Sequence, residues 1–182
     1  MRKLQYHESK LLKKVDLFGS WKDENPRESS VIRKYHLTKR SDYQQYNRLV
    51  GIIKKLSSKI SDLHPKDPFR DKMSDALMAK LYQVGLITGQ KSLSTCEKVS
   101  VSAFCRRRLP VVMTRLKMAE TVSQASIYIE QGHVRVGIET ITDPAFLVTR
   151  SREDFVTWVD SSKIKSKILT YNDQLDDYDL LQ

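Results

Sequence analysis

A change of hydrophobic period at Gly132 is the feature that most constrains the fold of this chain. Before the glycine, Val122, Ala125 and Ile129 recur at the three- and four-residue steps of a helix face. After it, residues 133–136 alternate between polar and apolar, as a half-buried strand does. Glycine at this point suits the left-handed residue that ends many helices. The chain is therefore expected to pass from helix directly into strand, which predicts an α+β fold.

Local signals extend this pattern on both sides of the glycine. Pro110 suits the first turn of a helix that runs to about Met118. Thr121 and Gln124 match a capping box that opens the next helix. Short strands are also predicted at Ile141, at 146–148 and at 156–159. Residues 106–160 are thus expected to form a helix, a short turn, a second helix and a small antiparallel sheet.

The first hundred residues carry helical signals instead. Residues 4–18 place Leu4, Leu11, Leu12, Val15 and Phe18 at helical spacing among lysines, which predicts a basic amphipathic helix. A capping box at Ser41 and Gln44 predicts the start of a second helix that continues to Ile60. A third is predicted from an Asp67 cap and Pro68 to a terminal Gly85. Residues 19–30 and 88–100 are expected to be a polar linker and a polar loop.

The charge is unevenly distributed. The net charge is +10, and residues 1–100 hold 21 Lys or Arg against 11 Asp or Glu, while residues 101–182 hold 11 of each. Residues 101–119 contain five cations and no acid, whereas residues 170–182 contain four Asp and no cation. Ordinary helices mix both signs, so the acid-free window favours a polyanionic partner over a merely solvated face.

The same sequence argues against several other classes. Its longest apolar runs are too short for a transmembrane helix, so no membrane partner is expected. Two cysteines cannot build a disulfide framework, which favours a reducing intracellular compartment. No His is spaced for metal binding with another His or Cys, and residues 85–92 miss the P-loop spacing by one residue. Cys105 is expected to be a core residue. We therefore expect no enzyme, metal, cofactor or small-molecule substrate.

Arginines that lie beside a helix N-terminus favour the binding of phosphate groups. Helix N-termini expose unpaired amides and a partial positive charge, and structured RNA is recognised through shape and phosphate contacts. We expect Arg106, Arg107 and Arg108 before one helix, and Arg115 and Lys117 at its end, to contact RNA. Tyrosines 43, 46 and 82 suit either base stacking or, more commonly at helical spacing, a core.

A family resemblance rests on these residues. The motifs are RRRL at 106–109, RLKMAET at 115–121, GHVRV at 132–136 and DPAF at 143–146. In this order they resemble the alpha-L RNA-binding module of the small-subunit ribosomal protein S4 family. Upstream, KDPFR at 66–70 and LYQVGL at 81–86 resemble the helical part of archaeal and eukaryotic members. At the N-terminus, RKL at 2–4, HE at 7–8, KLLKKVD at 10–16 and WK at 21–22 resemble a nucleolar branch of this family, whose members are components of the U3 small nucleolar ribonucleoprotein.

The resemblance implies a function and a set of contacts. It implies a component of the small-subunit processome, located in the nucleolus of the nucleus, that helps U3 small nucleolar RNA pair with pre-18S rRNA. It also implies a scaffold partner, the M-phase phosphoprotein of that particle. The RNA-binding residues carried over are Arg106, Arg107, Arg108, Arg115, Lys117, Thr121, His133 and Arg135. Ser126 is left out, because many members have Arg there, and Gly137-Ile138 replaces the usual Asn-Gly.

Four segments are therefore expected: a basic amphipathic extension over 1–40, a helical ribosomal-protein-like region over 41–100, an alpha-L domain over 101–169 and an acidic tail over 170–182. A structural protein of the mature small subunit is the alternative function. An RNA-modifying enzyme is a weaker one, since alpha-L modules are appended to such enzymes but this chain has no room for their catalytic domain.

Overall fold

The structure, a computed structural model, describes residues 2–14, 26–89 and 92–173. Helices form most of this part of the chain, and three short strands lie among the last helices. In chain order the elements are α1 (Tyr6–Lys14), α2 (Pro26–Tyr35), α3 (Arg40–Ser61), α4 (Pro68–Val84), α5 (Ser94–Glu97), α6 (Val101–Cys105), α7 (Leu109–Arg115), α8 (Val122–Glu130), β1 (Val134–Val136), β2 (Glu139–Thr140), α9 (Arg150–Glu153), β3 (Val156–Trp158) and α10 (Lys163–Tyr171).

A first hydrophobic core lies among α2 to α6. The long helix α3 supplies Tyr46, Val50 and Ile53 from one face, as its apolar spacing predicted. The Tyr46 ring stacks on Phe104 of α6, with ring centroids 5.5 Å apart and 9° between the planes. Cys105 is completely buried in the same core. Tyr46 is thus a core residue and not a platform for a base.

A second hydrophobic core begins at Leu109, only a few residues after Cys105 of the first core. It joins α7, α8 and the sheet, and its fully buried members are Leu109, Val112, Met113, Ala125, Ile129, Val134 and Val148. The three strands are antiparallel in the order β2-β1-β3, with Arg135 opposite both Thr140 and Thr157. The α+β class predicted from the period change is confirmed.

Three helix ends follow the local sequence signals. Asp67 caps α4 by accepting a hydrogen bond from the Phe69 amide at 2.9 Å. Gly85 ends α4 with a φ of 87°, and the next amide, of Leu86, donates to the Leu81 carbonyl at 3.0 Å. Gly132 likewise follows α8 with a φ of 75°. The two glycine positions need a left-handed conformation, which glycine adopts without steric cost.

Other predictions were wrong because tertiary packing outweighs local signals. α3 begins at Arg40, so Ser41 lies inside the helix and does not cap it. The preceding turn, with His36 at a φ of 48° and Leu37 buried, sets this earlier start. Residues 146–148 do not join the sheet; they pair with residues 107–109, through Val148 donating to Arg107 and Leu109 to Phe146. Part of the predicted 88–100 loop is α5.

Some predictions fall beyond the described residues. The amphipathic helix is present as α1, but its predicted continuation through Val15 and Phe18 lies outside them, as do residues 174–182 of the acidic tail. The polar linker predicted at 19–30 overlaps α2, which begins at Pro26. Within the described ranges, no helix has both the length and the apolar composition needed to cross a membrane.

Candidate nucleic-acid interface

Arg108 lies at the junction of the two cores and is buried there. Only 2% of its surface is exposed, and its Nη1 donates to Asp42 Oδ2 at 2.8 Å and to the Tyr46 hydroxyl at 3.1 Å, both on α3. Burial lowers the pKa of the guanidinium, but the hydrogen bonds and charge of these two partners outweigh burial and raise it overall. Arg108 is therefore a permanently charged link between α3 and the second core.

Arg107 is buried at the same junction, and its guanidinium also donates to acceptors within the protein. Its Nε and Nη2 donate to the Val148 carbonyl at 2.8 and 2.6 Å, and its Nη1 donates to Glu153 Oε2 at 2.9 Å. The side chain also lies against Gly85, where a Cβ atom would come within 2.9 Å of Arg107 Nε. A side chain at residue 85 would therefore displace the Arg107 guanidinium from these contacts.

These contacts give the side chains of Arg107 and Arg108 protein partners, so the RNA surface proposed below does not use them. Their charges are compensated by carboxylates, their side chains are buried, and their donors point to protein acceptors. A buried guanidinium needs such partners because the loss of hydration is otherwise too costly. The acids lie 46 and 66 residues away in sequence, so no local signal could have revealed the pairs. Arg106, by contrast, is exposed, and its Nε lies 3.5 Å from the Tyr35 hydroxyl.

The turn between α7 and α8 presents a second exposed cation. Lys117 adopts a φ of 59°, and the following amide, of Met118, donates to the Met113 carbonyl at 3.0 Å. This is the left-handed helix-ending position that glycine usually occupies. Thr121 then caps α8, its hydroxyl accepting from the Gln124 amide at 3.3 Å, as the predicted capping box requires.

Arg115 borders this turn and is half exposed. It forms an ion pair with Glu153, the same carboxylate that binds Arg107. Burial raises the pKa of Glu153, but the hydrogen bond from Arg107 and the charge of Arg115 outweigh burial and hold this pKa below its usual range. Arg115 is therefore available at the surface but shares its counter-charge with the buried junction.

Arg135 and His133 take different positions around β1. Arg135 projects from the strand, where Nε donates to Thr157 Oγ1 at 3.1 Å and Nη1 to Asp160 Oδ2 at 2.5 Å. His133 Nδ1 instead lies 3.0 Å from the Ser162 hydroxyl, and that hydroxyl caps α10 by accepting from the Ile164 amide. His133 thus ties α10 to the sheet, a role that spacing alone did not indicate.

Sequence reasoning missed Lys165, which the structure places beside Arg135. Its Nζ donates to Asp160 Oδ1 at 2.5 Å, so two cations share one exposed carboxylate. The alternation of lysines at 163, 165 and 167 was a possible signal, but helix α10 was not predicted. Ser126, left out of the predicted contacts, is buried and donates to the Val122 carbonyl at 3.0 Å.

The chemistry of this surface is ionic and hydrogen-bonding. In the part of the chain that the structure describes, no three His, Cys, Asp or Glu side chains are grouped as a metal ion would require. The exposed or half-exposed cations on Arg106, Arg115, Lys117 and Arg135 instead suit phosphate oxygens. Burial raises the pKa of the Cys105 thiol to about 11, which disfavours the nucleophilic thiolate.

Comparison with known proteins identifies two matched regions. The ribosomal protein S4/S9 N-terminal domain family matches residues 3–106, and the S4 domain matches residues 107–154. Their boundary falls at the arginine junction between the two cores.

Relatives of high identity span nearly the whole chain. The U3 small nucleolar ribonucleoprotein protein IMP3 of Saccharomyces cerevisiae is 56% identical over 181 residues, which cover 98% of each chain. The Homo sapiens protein of the same name is 52% identical over 182 residues, covering 99% of this chain and 98% of its own. The small ribosomal subunit protein uS4 of Picrophilus torridus is 27% identical over 142 residues, or 78% of each chain. The chain therefore belongs to the family of the U3 small nucleolar ribonucleoprotein protein IMP3.

Proposed function

We propose that this chain is a non-enzymatic RNA-binding component of the U3 small nucleolar ribonucleoprotein, located in the nucleolus of the nucleus. Within the small-subunit processome it promotes pairing of U3 small nucleolar RNA with pre-rRNA for 18S rRNA maturation. The names and high identity of its relatives support membership of this particle. The exposed cations of the S4 domain support the RNA contact.

The observation that carries the RNA contact is the cationic turn at Lys117. An L-residue in a left-handed conformation is strained, so a lysine there is better explained by its charge than by its contribution to stability. Arg106, Arg115 and Arg135 are the other proposed phosphate contacts on exposed or half-exposed positions. Thr121 and His133 contribute indirectly, because they hold the ends of α8 and α10.

Phosphate contact gives a physical route to RNA pairing. Two RNA strands repel each other while they search for register, and bound cations release counterions and lower this barrier. The S4 domain would hold one structured RNA. Residues 1–60, with 15 Lys or Arg against 6 Asp or Glu, would engage the second strand or the M-phase phosphoprotein scaffold of the particle.

An annealing assay tests the proposal. Fluorescently labelled U3 and pre-rRNA fragments should pair faster with the protein, and Lys117→Glu should reduce both RNA affinity and annealing rate. Lys72→Glu, the same charge change at an exposed position of α4, is the matched control and should change neither by more than about twofold. Equal loss in both variants, or acceleration unaltered at high salt, would contradict specific contact at the turn.

A structural protein of the mature small subunit is the second candidate, because uS4 proteins share 24–27% identity with three quarters of the chain. Gradient sedimentation of a cell extract distinguishes the two. The first function predicts co-sedimentation with U3 RNA in large nucleolar particles, and the second predicts co-sedimentation with translating 40S subunits.

A further inference from the structure

An open pocket of about 360 Å³ lies where the S4 domain meets α10. Its apolar lining includes Met118, from the end of the α7–α8 turn, with Val156 and Trp158 of β3. Arg135 of β1 and Lys165 of α10 supply the cationic part of the lining. Small-molecule sites span about 300–1,000 Å³ and combine an apolar lining with a few placed polar groups, so this pocket has the size and composition of a small ligand site.

We propose that this pocket binds one unpaired nucleotide of an RNA, with the base against Trp158 and Met118 and its phosphate on Arg135 and Lys165. The inference rests on the proposed RNA-binding function and adds a single-strand contact to it. Residues 155–173, which supply Trp158 and Lys165, lie beyond the S4-domain match at 107–154. The site therefore combines the S4 domain with the segment that follows it.

The hydrogen bonds of Asp160 support an anion at this place. Two cations on different elements, Arg135 and Lys165, converge on its two carboxylate oxygens at 2.5 Å each. The Asp160 side chain is 61% exposed, so a phosphate can reach the same two cations from solvent and replace it. The carboxylate thus acts as an internal competitor that an RNA phosphate must displace.

The aromatic part of the pocket favours RNA over an acidic protein segment. The Trp158 and Tyr128 rings pack in a T-shaped arrangement, with centroids 5.8 Å apart and 70° between the planes, and this contact orients the Trp158 ring. Unpaired bases of single-stranded RNA stack on such rings, while cations beside them follow the phosphates. The pocket also adjoins the proposed RNA surface, because Met118 follows Lys117 and Arg135 belongs to both.

Asp160 gives the sharpest test, because its removal should improve binding. For a six-nucleotide single-stranded RNA, Asp160→Asn should tighten binding severalfold. Lys165→Gln should weaken binding severalfold and lower the salt slope by about 0.7, the value for one single-strand phosphate contact. Trp158→Ala should weaken it about tenfold, within the range measured for stacking on one aromatic ring. Lys72→Gln on α4 is the control and should change nothing.

Trp158 fluorescence supplies an independent readout. The chain has two tryptophans, Trp21 and Trp158, so a Trp21→Phe background reports Trp158 alone. The single strand should quench this fluorescence, and a blunt duplex of the same sequence should not. Quenching by a polyglutamate peptide as strong as by RNA would overturn the proposal in favour of a protein segment. Equally tight binding of a free mononucleotide would overturn it in favour of a metabolite site.

Failure of this inference is distinguishable from failure of the proposed function. If Asp160→Asn and Lys165→Gln leave single-strand affinity unchanged while Lys117→Glu still weakens binding of structured RNA, the pocket is refuted and the RNA-binding function stands. If the wild-type chain binds neither RNA, the proposed function itself is refuted. Because Asp160 and Lys165 are exposed or half-buried surface residues, both variants should fold.

Discussion

Replacing Lys117 with glycine should stabilise the fold and weaken RNA binding at the same time. Lys117 follows α7 with a φ of 59°, the helix-ending position at which glycine is usual. Its side chain is exposed and, within the described residues, has no carboxylate partner. The substitution therefore removes strain from the folded state together with one cation from the proposed RNA surface.

The expected changes in stability and in RNA binding follow from the removal of the backbone strain and of the Lys117 charge. A left-handed conformation costs an L-residue about 1–2 kcal/mol. The greater freedom of glycine in the unfolded chain offsets about 0.5–1 kcal/mol of that gain. A net stabilisation of about 0.5–1 kcal/mol corresponds to a rise in Tm of about 1–4 °C for a chain of this size. Loss of one phosphate contact should lower the slope of log K against log salt by about 0.7–0.9.

Two control variants separate strain from charge in the same assays of thermal unfolding and RNA titration. Lys117→Gln removes the charge but keeps a side chain in the strained position, so it should weaken RNA binding without raising Tm. His36→Gly relieves the same kind of strain at the end of α2, where φ is 48°, and should raise Tm without affecting RNA binding. A Lys117→Gly variant that melts below the wild type would contradict strain at this position, and one that binds RNA with an unchanged salt slope would contradict a phosphate contact there.

Three further predictions concern the junction. Arg108→Met should destabilise the fold by about 3–5 kcal/mol in urea unfolding, because it leaves the Asp42 carboxylate without its partner. Arg106→Met, at an exposed position, should destabilise the fold by less than about 0.5 kcal/mol. Equal losses of stability in the two variants would contradict the burial of Arg108. Because its folded pKa is depressed, Glu153 stabilises the protein above the unfolded pKa of about 4.3, and this contribution is lost as pH falls through the folded value. Glu153→Gln should therefore lower the unfolding free energy at pH 7, and this difference should shrink as the pH falls below about 4.3; a difference that stays constant on acidification would refute the depressed pKa. Cys105, with its pKa raised to about 11, should resist a thiol reagent at pH 8 until the protein unfolds, and rapid native labelling would show that it is accessible.

Elements fixed by neighbouring residues could be predicted from the sequence. The Asp67 cap, the glycines that end α4 and α8, and the passage from α8 into β1 all depend on contacts within a few residues. Local conformational preference and hydrophobic period are sufficient for such features. The helix–turn–helix of the proposed RNA surface was predictable for this reason.

Features that depend on distant partners were not predictable in this way. Residues 146–148 have the composition of a strand, but their partner is the 107–109 segment, which leaves them outside the sheet. α3 starts before its apparent capping box, directly after a turn in which His36 is left-handed and Leu37 is buried. The hydrogen-bond partner of His133, Ser162, lies 29 residues later, so the link between the sheet and α10 had no local signal.

The junction also reduces the uncompensated charge of the acid-free window at 101–119. Two of its five cations, Arg107 and Arg108, are compensated inside the protein by acids that lie outside the window. A third, Arg115, shares one of those acids at the surface. A count of charges along the sequence does not include the ion pairs that form on folding. Buried guanidinium groups require carboxylates, and here these come from elsewhere in the chain. The salt dependence of RNA binding should therefore reflect the exposed cations alone, with a slope shallower than five phosphate contacts would give.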